Sequence, residues 1–210
     1  SFKLKASSNN NVTFDYGVAS GDPTNSNVIL WTKVTTMFNS DIKIKWQISS
    51  TRDFKNILTS GTALSRSSND FTVKVDVEVT NNFRGKKIFY RFFFNNTFSE
   101  IGITNTLPPN NPNQYNIAFC SCSNHPAGYF NAYNEMAKND DIDLVLHLGD
   151  YIYEYDKNGY ATEDSVRFNR VVDPKHEILS LNDYRRRHAQ YKSDLDLQLL
   201  HKSKPMIAIW

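Results

Sequence analysis

Three side chains of unlike chemistry stand out among the 210 residues: Cys122, Asp150 and Tyr153. Asp150 closes the apolar run "DLVLHLGD" (143–150) and follows Gly149, whose missing side chain lets a metal or phosphate approach a crowded turn. A carboxylate there can use both oxygens and bridge two cations. Tyr153, three residues on, returns its phenol to the same point if the chain turns after the strand. A phenol with a pKa of about 10 ligates as phenolate only beside a strongly charged ion, which favours a hard trivalent metal such as Fe3+ over Mg2+. Cys122 closes a second apolar run, "YNIAFCSC" (115–122), and a thiolate at a strand end beside a cation is a ligand of the same kind. Each has a plainer reading. Gly149-Asp150 makes an ordinary turn, Tyr153 packs on a sheet, and Cys122 is a small buried hydrophobe.

Around these three the other candidates are weaker. Asn124 and His125 follow Cys122 in one loop, close enough to touch a substrate, and equally suited to a plain loop. Cys120 is read as core packing. His147, between Leu146 and Leu148, is read as a satisfied core histidine, and Arg185-Arg186-Arg187 as a solvated helix face. His176, His188 and His201 have no partner at metal-ligand spacing. Glu154 is placed to support a ligand from behind. No phosphate-binding glycine loop and no G-x-S-x-G elbow is present.

Two kinds of element must position these residues. Up to about residue 108 the period is two. "DIKIKWQIS" (41–49) puts Ile42, Ile44, Trp46 and Ile48 on one face, and "FTVKVDVEV" (71–79) does the same with Phe71, Val73, Val75, Val77 and Val79. "NVILWTKV" is a further strand, and "KKIFYRFFF" and "EIGITNTL" flank a hairpin loop at Asn95-Asn96. This pattern predicts an antiparallel sandwich. "TLPPNNPNQ" interrupts it, and a linker is placed at 109–114 between regions 1–108 and 115–210. Beyond it the strands read as buried on both faces: 115–122, 143–150 and "PMIAIW" (205–210). "GYFNAYNEMAK" (128–138) between the first two makes a βαβ unit. "LNDYRRRHAQY" reads as a helix capped by Asn182 or Asp183. In open α/β sheets, sites gather at the carboxyl ends of strands, where Cys122 and Asp150 fall.

Composition sets outer bounds. A net charge of +2 gives no argument for a nucleic-acid or membrane partner. No run approaches the roughly 18 apolar residues of a bilayer span. No signal peptide is visible in the sequence, which opens at "SFKLK" without a Met, and this does not argue for a cytosolic home. Two cysteines do not indicate a disulfide scaffold. The triplets Asn11-Val12-Thr13 and Asn95-Asn96-Thr97 fit glycosylation, but chance explains them better in so Asn-rich a chain.

The segments "FDYGVASGDPTNSNVILWTKV", "YRFFF…SEIGITNTLP", "IAFCSCSNHPAGYFNAYNEMA", "DLVLHLGDYIYEY" and "LNDYRRRHAQYKSDLDLQLLHKSKPMIAIW" resemble, in that order, the alkaline phosphatase D family of bacterial phosphodiesterases and phosphomonoesterases. The resemblance runs from about residue 14 to the end, and the Asp-x-x-Tyr spacing is also similar to purple acid phosphatases. It implies an N-terminal immunoglobulin-like β-sandwich followed by the first part of an α/β calcineurin-like metallophosphatase domain. It implies Fe3+ and Ca2+ as cofactors, with Cys122 and Tyr153 on iron and Asp150 bridging to calcium as the catalytic carboxylate. Asn124 is the substrate-side candidate. The substrate would be a phosphate mono- or diester, and the protein secreted, periplasmic or held at the cell surface.

One departure bears on activity. In the family the strand matching "IAIW" runs into an acidic pair and a His that supply further ligands, and this chain stops at Trp210. Three donors against the roughly six that Fe3+ takes lead to the expectation of an incomplete portion, weak in metal binding and in hydrolysis. A second reading, from another class, makes the β half a non-catalytic surface or carbohydrate-binding module with a remnant α/β segment.

Overall fold

The computed structural model describes residues 12–108 and 111–210. Residues 1–11 of the first region, including Asn11 of the first glycosylation triplet, and residues 109–110 of the expected linker lie outside the described residues. The fold is mostly β with a few helices. Its longer strands are β1 (Val18–Gly21), β2 (Asn27–Lys33), β3 (Ile42–Ser49), β4 (Ile57–Ser65), β5 (Thr72–Glu78), β6 (Ile88–Phe94) and β7 (Gly102–Thr104). Then come β8 (Ile117–Cys120), α1 (Asn131–Lys138), β9 (Leu144–His147), α2 (Leu181–Lys192), α3 (Leu195–Ser203) and β10 (Met206–Ala208).

Strands β7, β6, β3 and β4 pair antiparallel in that order into one sheet. The alternation is what buries them. Ile42, Ile44 and Ile48 of β3, Ile88, Tyr90 and Phe92 of β6, and Val28 and Leu30 of β2 meet in one apolar core, while Lys43 and Lys45 face out. Trp46 packs against the same core. Asn95-Asn96 forms the expected tight turn, with Phe93 opposite Phe98 and Phe94 opposite Thr97. Asn95 takes the left-handed backbone that Asn tolerates.

The second sheet crosses the halves. Its order is β8-β9-β10-β1-β2-β5. Strands β8, β9 and β10 are parallel, as the βαβ reading requires, and β1, β2 and β5 are antiparallel. The two sets join at a single register pair, Met206 opposite Gly21. There the backbones come so close that a Cβ on Gly21 would overlap the Met206 carbonyl oxygen. Backbone cannot yield as a flexible side chain would. Gly21→Ala is therefore expected to cost about 1–3 kcal/mol, read as a lower urea midpoint at unchanged m-value.

Several expectations are corrected. Strand β8 is not buried on both faces. It is an edge strand, and Ile117 and Phe119 are exposed while Ala118 and Cys120 pack inward. Strand β10 ends at Ala208, and Ile209 and Trp210 are exposed. The cap of α2 is Ser180, not Asn182 or Asp183. The Ser180 hydroxyl accepts from the Asp183 amide, and Asp183 accepts from the Ser180 amide in a capping box. The arginine run is not a uniformly solvated face: Arg186 is exposed, but Arg187 is fully buried. Helix α3, capped by Asp194, and strands β1 and β4 have no counterpart in the pattern reading. A second core, built by Phe130, Tyr133, Val145, Ile178, Tyr191, Leu197 and Leu200, sits between the helices and the parallel strands.

Candidate active site

Cys122 and Asp150 lie two and three residues past the ends of adjacent parallel strands β8 and β9, not on them. Both take left-handed backbone, with φ of 62° at Cys122 and 52° at Asp150. Non-glycine residues adopt that region at a cost and concentrate at functional sites. Two backbone hydrogen bonds hold the turns together. The Cys122 amide donates to the Gly149 carbonyl at 3.1 Å, and the Ser123 amide to the Asp150 carbonyl at 2.9 Å. Gly149 itself has φ of 126°, a value that side chains disfavour.

The side chains then converge. The Cys122 thiol donates to Asp150 Oδ2 at 3.4 Å, and the Tyr153 phenol donates to the same oxygen at 3.0 Å. Burial pushes the Tyr153 phenol well above its ordinary pKa, and its hydrogen bonds with Cys122 and Asp150, with their negative charge, push it further. The thiol and the phenol thus both give their protons to one carboxylate oxygen, and losing either proton would set like charges against each other there. A cation would relieve that opposition. Among the described residues no group of three His, Cys, Asp or Glu side chains gathers, and here the third donor is the phenol. The chemistry of the donors fits an Fe3+ ion. For Ca2+ the residues present offer the remaining Asp150 oxygen.

Asn124 sits on the rim. Its side-chain amide donates to the Tyr160 carbonyl at 3.0 Å, which ties the loop after Cys122 to an exposed tyrosine. Tyr153, Tyr155 and Tyr160 form an aromatic cluster with ring centroids 6.0–6.2 Å apart. His125 does not reach outward. It is buried against Phe130 and Tyr191, and its carbonyl accepts from Arg170. Glu154 accepts weakly from the Tyr184 phenol at 3.4 Å, away from the three donors. Cys120 is half-buried in the second core, and burial raises its thiol pKa.

His147 is buried in the core as expected but only half satisfied, since its Nδ1 has no hydrogen-bond partner among the described residues. Its Nε2 lies 2.7 Å from the Ser123 hydroxyl and 3.0 Å from the Tyr133 phenol. Ser123 and Tyr133 are also hydrogen-bonded to each other. This buried trio ties the Cys122 loop to β9 and α1. Sequence reasoning gave Ser123 and Tyr133 no part, because neither sits at a spacing that marks such a contact. His188 lies between Tyr151 and Trp210, and His201 meets the Tyr151 phenol at 2.7 Å. Asp150 also borders a cavity of about 900 Å³ beside α2, into which Lys192 projects over Trp31.

With this geometry in place, sequence kinship bears on the chain. Residues 2–108 match the family described as "PhoD-like phosphatase, N-terminal domain", and residues 117–210 match "PhoD-like phosphatase". The chain belongs to the PhoD-like phosphatase family. It is 37% identical over 220 residues to alkaline phosphatase D of Bacillus subtilis (strain 168), covering all of this chain and 36% of that protein. A solved structure of PhoD matches with a TM-score of 0.82 at 37% identity, over 94% of this chain and 38% of its own. The PhoD-like chain thus spans just over a third of the length of these relatives and corresponds to the N-terminal part of the family. No helix among the described residues is long and apolar enough to cross a membrane.

Proposed function

We propose that this chain supplies one side of a metal-dependent site for hydrolysing phosphate mono- or diesters. Cys122 and Tyr153 would hold Fe3+, and Asp150 would bridge it to Ca2+ as the catalytic carboxylate. The observation that carries the reading is the meeting of a thiol, a carboxylate and a phenol at one oxygen, beyond adjacent parallel strands. Within it, the region up to 108 is an immunoglobulin-like sandwich, and 115–210 begins a calcineurin-like metallophosphatase domain. Kinship to an alkaline phosphatase supports the substrate class.

When bound, the ions would neutralise phosphate oxygens and lower the pKa of an attacking water. The chain's own part is positional. The left-handed turns aim Cys122 and Asp150 outward, the buried Ser123–Tyr133–His147 trio fixes the first turn, and Asn124 lines the approach. With three protein donors, the chain by itself is expected to hold iron weakly.

Ferric titration of the native protein tests the assignment. A phenolate on iron absorbs in the visible, and Tyr153→Phe is expected to remove that band while aryl phosphate hydrolysis falls. A band that survives in Tyr153→Phe, or native protein that hydrolyses without binding iron, would overturn it.

A further inference from the structure

Arg187 is the largest fully buried side chain among the described residues. Its neighbours in α2 reach outward: Arg185 donates to the Ser68 carbonyl and Arg186 to the Asp173 carboxylate. The Arg187 guanidinium instead donates to four backbone carbonyls. Nε reaches Asp173 at 3.2 Å, Nη1 reaches Tyr153, and Nη2 reaches Tyr155 at 3.1 Å and Pro174 at 3.0 Å. None of these acceptors is a carboxylate. A buried cation is tolerated when oriented dipoles replace its water, and four carbonyls aimed at one planar fork do so.

The acceptors sit where the chain most needs holding. Residues 148–157 form no helix or strand, so no ladder fixes the backbone that carries Tyr153. Two backbone bonds tie this stretch to the segment after Asp173, from Ile178 to Glu154 and from Lys157 to Lys175, both at 3.0 Å. Arg187 grips both segments from beneath and anchors them to α2. Fixing the Tyr153 and Tyr155 peptides fixes the direction of the bond that carries the Tyr153 ring.

We propose that Arg187 is a positioning residue for Tyr153, holding the carbonyls of Tyr153 and Tyr155 from the interior so that the phenol meets Asp150. The functional consequence rests on Cys122, Asp150 and Tyr153 forming a metal site; the grip itself does not. Lysine cannot replace the guanidinium, because an ammonium is a point charge that cannot span four acceptors.

Two measurements on Arg187→Ala and Arg187→Lys test this in the native protein. The first is amide hydrogen exchange of the metal-free protein, comparing residues 151–157 with the core strand 88–94. Exchange is expected to rise at least about tenfold in the loop and stay unchanged in the strand, since local openings precede global ones. The second is ferric titration, where affinity is expected to fall about 10–100-fold, as when a supporting contact behind a ligand is lost. Millimolar guanidinium is expected to restore part of both in Arg187→Ala. If that variant does not fold, Arg187→Lys decides alone. Unchanged loop exchange, or a rise equal in loop and strand, overturns the proposal. Tyr153→Phe separates the two readings: if it leaves ferric binding intact, the metal site is wrong while the exchange data still judge the grip.

Discussion

On the function proposed above, Asp150→Asn is expected to leave the fold intact and to remove ferric binding together with any aryl phosphate hydrolysis that depends on it. The substitution is chosen for its backbone. Asp150 sits at φ 52°, a region that Asn enters more readily than any other non-glycine residue. Its carbonyl would keep the bond from the Ser123 amide, and its side-chain oxygen can still accept from Tyr153. What disappears is the negative charge and the ability to bridge two cations with equivalent oxygens. Loss of one such electrostatic contact in an active site typically costs about 10²–10³ in kcat, and loss of a bridging ligand belongs at the upper end. Metal content should fall with it, while the melting temperature of the metal-free protein stays within the range of a surface change. Hydrolysis of an aryl phosphate, metal analysis and thermal melting check the three parts separately. A variant that binds iron and hydrolyses the ester as the unsubstituted protein does overturns the role proposed for Asp150.

That Cys122, Asp150 and Tyr153 deserved attention together was legible because their signals are local, and the structure brings their side chains to one oxygen. Gly149-Asp150 ends an apolar run, Tyr153 follows at short range, and Cys122 stands before a helix with a clear apolar stripe. The strand alternation of β2, β3, β5 and β6 was legible for the same reason: each buried face is written in every second residue. Strand β4 escaped because "ILTSGTALS" carries small polar residues and a glycine that accommodates the Trp46 ring. Strand β1 escaped because it is four residues long and recognisable only through its partners, β2 and β10. The single sheet running through both halves was illegible for a related reason. One register pair, Met206 with Gly21, makes the join, and the two residues lie at opposite ends of the sequence.

The burial of Arg187 marks a sharper boundary. An arginine in a run of three on a helix normally faces water. Its interior position depends on four carbonyls from loops that carry no periodic signal of their own. Carbonyls are present in every residue, so no residue type announces them. The same holds for the Ser123–Tyr133–His147 trio, where only the histidine stood out by its place inside an apolar strand. Ligand-type residues are therefore readable from sequence, and the groups that aim them are not.

The buried histidines predict a loss of stability in mild acid. Burial, reinforced by Arg170, lowers the pKa of His125 to about 4, and burial with the charges of Lys192 and Lys33 lowers His188 to about 4. In the unfolded chain each would titrate at about 6.5. Between about pH 6.5 and 4 the unfolded state therefore binds protons that the folded state refuses, so stability falls as pH drops through that window. For His125 the gap is worth about 3 kcal/mol. His188 lines the open cavity beside α2 and is only partly buried, so it should contribute less. Against a total stability of about 5–15 kcal/mol, the sum is large enough to bring unfolding into the same range. Asp183, whose carboxylate is held low by hydrogen bonds from Ser180, belongs to a lower window, because its contribution begins to fade only near its unfolded pKa. Urea midpoints at pH 7, 5.5 and 4.5 should fall steadily. His125→Phe should flatten the slope, since a phenyl ring fits among Phe130 and Tyr191 and has no proton to bind. A slope that survives unchanged in that variant would place the acid sensitivity elsewhere in the fold.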